Sequence, residues 1–211
     1  MHAYLLELAS LMAVFSFAIV APGADTAMVM RQAMVHGRRA AILTSIGIGT
    51  SLMFHVTYTI LGLGLIISQS LLLFGIIKWV GAAYLIYMGV MALRSGRTDL
   101  DPATGEPDQQ RQSAFRAFGL GFLANALNPK PVLFFLSIFS ALVSASTPGM
   151  VKFGYGLVMA SCLIAWFVGV SFFMTTPRMR AVFSRMSKWI NRASGLVFIA
   201  FGLKLAASRA N

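Results

Sequence analysis

The chain has 211 residues, of which 58% are hydrophobic and only 11% charged, and its mean hydropathy of +0.78 is more than a water-soluble core requires. That is the composition of an integral membrane protein. The net charge of +11 does not point to nucleic acid, because the basic residues sit in short links between apolar segments rather than on one polar face, and the single cysteine, Cys162, excludes an internal disulfide framework or a thiolate metal site.

Six apolar spans are expected. The first runs from about Leu5 to Ala21; no Lys or Arg precedes it, so a cleavable leader with a basic start is not expected and the segment is read as retained. The stretch "AIVAPGADTAMVMRQ" then breaks the apolar run at Pro22 and Gly23, introduces Asp25, and continues apolar. Between Ala40 and Ile77 there is no charged residue, and since a bilayer crossing takes about 20 apolar residues, this region supplies spans two and three, Ala40 to Ile67 and Leu71 to Leu93. The polar segment that starts "RSGRTDLDPATGEPDQQ" is too poor in apolar side chains to order itself and reads as a linker over residues 94–116. Spans four to six follow at Phe118 to Val143, Phe153 to Thr175 and Ala193 to Ala207, and the first of these is broken at "NALNPKP", residues 125–131.

The linker divides the chain into residues 1–93 and 117–211, each with three spans. Twelve Lys and Arg residues fall in the first, third and fifth links, beginning with Arg31, Arg94 and Arg178, whereas the opposite side holds Lys152, Lys204 and Arg209. The positive-inside rule therefore assigns those three links to the cytoplasm and both termini to the outside. An odd number of spans per half makes the halves run in opposite directions, and paired Gly/Pro breaks at matching positions are the sequence trace of an inverted-repeat transporter whose binding site lies at the breaks. The expected fold is an all-α integral membrane protein with six transmembrane helices, arranged as two inverted three-helix repeats with broken first helices.

Broken backbone in lipid leaves unsatisfied polar groups unless it is buried in protein or lines a watery cavity. At the first break Asp25 reads as the N-cap of a new half-helix; at the second, Asn128 reads as the N-cap with Pro129 in the first turn. The plain alternative is that both residues are caps and nothing more. Two half-helix N-termini facing one cavity would, however, suit a carboxylate, and Asp25 would suit an ammonium. The candidate binding set is therefore Asp25, Pro22, Gly23, Asn125, Asn128, Pro129 and Lys130, and the ligand that carries both charges is an amino acid.

His55 lies about 22 Å into span two at 1.5 Å per residue, where an ionisable ring is costly. It reads either as a proton relay together with Asp25 or as a neutral ring bonded to a neighbouring helix. Tyr84 and Tyr87 could hydrogen-bond a substrate or simply pack. Small residues at helix-packing spacing, Ser45 with Gly49, Gly81 with Gly89 and Gly195 with Gly202, predict close helix contacts, and the last two pairs are the expected faces of an oligomer. No cofactor motif is present, and neither a Ser/His nor an HExxH arrangement marks an enzyme. A lone Asp and a lone Cys make a poor metal site. Exporters of metal cations or of other small solutes, and a non-transporting accessory subunit, are the competing readings.

Three stretches, "PGADTAMVMRQAMVHGRRAAILTSIGIGTS" from Pro22, "KWVGAAYLIYMGVMALRSG" from Lys78 and "FRAFGLGFLANALNPKPVLFFLSIF" from Phe115, resemble the LysE/RhtB family of bacterial amino-acid exporters over nearly the whole chain. The resemblance implies a multi-pass exporter of amino acids or close derivatives in the inner membrane, coupled to the proton gradient and homodimeric. It places the family's acidic break on Pro22, Gly23 and Asp25 and the second-half break on Asn125, Asn128, Pro129 and Lys130. One departure is Ala24, where the family often has a second proline.

Overall fold

The computed structural model describes residues 2–69, 71–96, 112–173 and 176–207. Residues 97–111, most of the expected linker, lie outside the described residues. Among the described residues eight helices occur in this order: α1 (His2–Val20), α2 (Ala24–Val35), α3 (Arg38–Gln69), α4 (Leu71–Arg94), α5 (Ala114–Ala126), α6 (Pro129–Leu142), α7 (Gly149–Phe173) and α8 (Pro177–Ala207). The described chain is thus all-helical. Five stretches are long and apolar enough to cross a membrane, His2–Val20, Arg38–Gly62, Gly75–Arg94, Gly149–Phe173 and Ala181–Ala207, and α5 with α6, bent by 59° at their junction, makes a sixth when counted as one span.

Local chemistry explains where the helices stop. α1 ends at Val20, two residues before Pro22, as expected where a proline disfavours helical backbone in the residue ahead of it and offers no N–H. Gly23 then takes an extended conformation, φ −156° and ψ −168°, and α2 begins at Ala24. The turn from α2 to α3 uses Gly37 at φ 83°, a left-handed conformation that glycine adopts without a Cβ clash. α5 starts on Ser113, whose hydroxyl accepts from the Arg116 N–H at 3.2 Å. α6 starts on Asn128 with Pro129 in the first turn, as the sequence predicted.

α3 lies at the centre, packed against α2, α5, α6 and α7, while α4 and α8 form the other extensive helix pair. The core is built from Leu11 and Val14 of α1, Ile48, Leu52 and Val56 of α3, Ile138 and Phe139 of α6, and Met159 of α7. In lipid such side chains gain little from leaving their surroundings, so close packing holds the helices together and small residues decide where backbones touch. A Cβ on Gly121 would strike the Thr44 carbonyl and one on Gly47 the Phe118 carbonyl, so α3 and α5 meet backbone to backbone. Thr44 adds a hydroxyl bond across this seam to the Ala117 carbonyl, at 2.9 Å. Outward-facing apolar side chains such as Leu6, Leu61 and Leu196 are exposed.

The glycines expected to form an oligomer face are instead used within the chain. A Cβ on Gly89 would lie 2.7 Å from the Gly195 carbonyl, one on Gly202 would lie 2.9 Å from the Ala82 carbonyl, and one on Gly81 would meet Ser137 of α6. Sequence spacing identified the close-contact residues but not the partner: a helix presents the same small-residue stripe to its own chain as to another.

Candidate functional site

The two breaks meet. Asp25 is not the N-cap of α2, as the sequence suggested; Gly23 holds that position without a side-chain cap, and Asp25 is the second residue of the helix. Its carboxylate is thereby released from the local backbone, and Oδ2 accepts a hydrogen bond from Asn125 Nδ2 of α5 at 2.9 Å. No donor to Oδ1 occurs among the described residues.

Asn125 is buried, and its remaining polar atoms fix His55. The ring Nε2 lies 3.1 Å from the Asn125 carbonyl oxygen and 3.2 Å from Oδ1. Because the amide nitrogen already donates to Asp25, Oδ1 can only accept, so the network assigns the imidazole proton to Nε2. Nδ1 is then the acceptor for the Tyr58 hydroxyl at 2.8 Å. Phe135 of α6 stacks against the ring with the planes 14° apart. The hydrogen bonds run in one direction, from Tyr58 through His55 and Asn125 to the Asp25 carboxylate.

The second break supplies a cation. Asn128 Oδ1 accepts from the Lys130 backbone N–H at 3.0 Å, which is the expected cap. The Lys130 carbonyl accepts from the Tyr84 hydroxyl at 3.2 Å, tying α4 to the start of α6. The Lys130 ammonium reaches the other break: a Cβ placed on Gly23 would lie 3.8 Å from Nζ. Among the described residues Nζ closes no ion pair with Asp25, although both side chains line the same cavity.

Gly23, Asp25, Asn125, Asn128 and Lys130 line one cavity of about 100 Å³. A single water needs roughly 10–15 Å³ measured this way, so the space holds several waters or one small solute. Pro22 and Pro129 shape the breaks but are not among the lining residues, and His55 stands one amide behind the wall. Among the described residues no three His, Cys, Asp or Glu side chains gather where a metal ion could be held.

Sequence reasoning passed over Glu7. It sits in the first apolar helix, yet one carboxylate collects the Ser144 N–H at 2.9 Å, the Thr147 hydroxyl at 2.9 and 3.0 Å, and the Tyr155 hydroxyl at 2.9 Å. It thereby fastens α1 to α7 and to the link that precedes α7. The only signal available was an acid in apolar sequence, because the partners are more than a hundred positions away. Tyr58 gave no signal at all.

The chain matches the LysE type translocator family over residues 16–209. It is 32% identical to the threonine efflux protein of Salmonella typhi over 91% of this chain and 93% of that protein, and 31% identical to the Escherichia coli K12 threonine efflux protein over the same shares. It is 30% identical to the homoserine/homoserine lactone efflux protein of Salmonella typhimurium, over 90% of this chain and 91% of that one. No solved structure matches significantly. With translocators rather than enzymes as its relatives, and with the match running through both helix breaks, this multi-pass membrane protein belongs to the LysE family.

Proposed function

We propose that the protein exports amino acids or close derivatives across the bacterial inner membrane in exchange for protons. The observation that carries this reading is that Asp25 and Lys130, one from each helix break, line the same small cavity. An α-amino acid presents an ammonium and a carboxylate a few ångströms apart, and a cavity with one carboxylate and one ammonium complements both ends. The efflux activity in the names of the relatives supports the same reading.

In this mechanism the substrate ammonium binds the free Oδ1 of Asp25 while Asn125 holds Oδ2, and the substrate carboxylate binds Lys130. Pro22 and Gly23 keep the first break open, and Asn128 and Pro129 set the start of α6 that carries Lys130. A proton taken up by Asp25 removes the charge that holds the substrate, which gives exchange. His55 serves this step by fixing Asn125, with Tyr58 as its proton donor at Nδ1.

The halves 1–93 and 117–211 act as inverted repeats around the cavity, with both termini outside and the linker in the cytoplasm. A homodimer, implied by the family resemblance, would use faces other than the glycine seams described above.

The test is export of labelled threonine and homoserine from proteoliposomes, with and without an imposed pH gradient. Gradient-stimulated export by the wild type and its loss in Asp25→Asn are expected. Export that is indifferent to the gradient would remove proton coupling, and absence of any amino-acid flux from correctly folded protein would remove the exporter reading.

A further inference from the structure

The walls of the cavity carry a narrower conclusion about the substrate, one that rests on the exporter reading above. Apart from the polar groups at the breaks, the lining includes Phe15 of α1, Leu52 of α3, Met88 of α4, Phe134 of α6, and Leu163 and Phe167 of α7. Five helices thus contribute apolar side chains to one surface. Asp25 is the only acid among the lining residues and Lys130 the only base.

Among the described residues no second acid lines the cavity. The chain has six acidic residues, and four of them, Asp99, Asp101, Glu106 and Asp108, belong to the linker sequence. Besides Asp25 that leaves Glu7, whose Oε1 accepts from the Ser144 N–H and Oε2 from the Tyr155 hydroxyl, with the Thr147 hydroxyl within reach of both.

We infer that the cavity selects neutral amino acids with aliphatic side chains, such as valine, leucine and methionine, over amino acids with a second charge. The α-ammonium and α-carboxylate use up Asp25 and Lys130. The side chain must then lie against the apolar wall, where an additional ammonium or carboxylate has no partner and carries an uncompensated desolvation cost. Each methylene that fits the wall raises selectivity about tenfold or more.

The experiment is counterflow in proteoliposomes of the wild-type protein, comparing labelled leucine, valine and methionine with lysine, arginine, aspartate and glutamate. Leucine, valine and methionine should exchange fastest, with the charged amino acids at least about tenfold slower. Lysine or glutamate exchanging as fast as leucine overturns the inference but leaves the exporter reading in place. No exchange of any amino acid overturns both. A second measurement uses Met88→Glu, which adds a carboxylate to the wall, with Met88→Leu as its control. The ratio of lysine to leucine exchange should be about tenfold or more higher in Met88→Glu than in Met88→Leu. Because each ratio is taken within one preparation, partial loss of folded protein does not imitate the effect; an unchanged ratio in folded Met88→Glu counts against the inference.

Discussion

Asn125 Nδ2 donates to Asp25 Oδ2 at 2.9 Å across a hundred positions of sequence. This bond joins the two helix breaks, and the same amide orients His55 from its other side. Asn125→Leu keeps the approximate volume but removes both side-chain interactions, leaving the Asp25 carboxylate without its donor and His55 Nε2 with only the backbone carbonyl of residue 125. Hydrogen bonds to charged groups contribute about 1.5–3 kcal/mol each, so a clear drop in thermal stability in detergent is expected together with loss of export. Unchanged melting would mean that the bridge contributes nothing to the fold.

Asp25→Asn separates binding from helix capping. Gly23, not Asp25, is the N-cap of α2, so the substitution leaves the helix start alone, and an amide can still meet Asn125. Membrane insertion and melting temperature should stay close to wild type, while export should fall about tenfold to a hundredfold from loss of a charge-assisted contact of about 1.5–3 kcal/mol and should stop responding to a pH gradient. Wild-type export with wild-type pH response in this variant would end the proposed role of Asp25.

Glu7→Ala removes the acceptor shared by Ser144, Thr147 and Tyr155. Since the buried Thr147 and Tyr155 hydroxyls then lose their acceptor, destabilisation of at least about 1.5–3 kcal/mol is expected. Glu7→Gln, which keeps an acceptor oxygen, should recover part of it. Differential scanning fluorimetry of the three proteins in the same detergent measures the order.

Gly195→Val tests the backbone seam between α4 and α8. A Cβ there would lie 2.7 Å from the Gly89 carbonyl and 2.8 Å from Leu93 Cγ, so the helices must separate. Overpacking of this kind costs about 1–3 kcal/mol. Gly154→Ala, where the added Cβ meets nothing within 4 Å, serves as the neutral comparison, and equal stability of the two variants would contradict the seam.

Orientation is checked with Thr104→Cys in a Cys162→Ser background. The excess of Lys and Arg in the first, third and fifth links predicts that an impermeant thiol reagent added to intact cells leaves position 104 unlabelled and modifies it only after the membrane is opened. Labelling from outside would reverse the topology.

The sequence by itself determined the membrane class, the positions of the breaks and the start of α6, because hydropathy, Pro/Gly interruption and the Asn128–Pro129 pairing act over a few neighbouring residues. Only the tertiary structure decided what the polar groups do. Asp25 looked like a cap and turns instead to Asn125; His55, which read equally as a relay or a neighbour's partner, is held between Asn125 and Tyr58; Glu7 finds Tyr155 at a separation of 148 residues; and the glycines Gly89 and Gly195 meet each other within one chain. Helical periodicity states which residues share a face, whereas the partner of that face depends on how separate helices pack, and a polar side chain buried among apolar helices takes whichever partner that packing brings within reach.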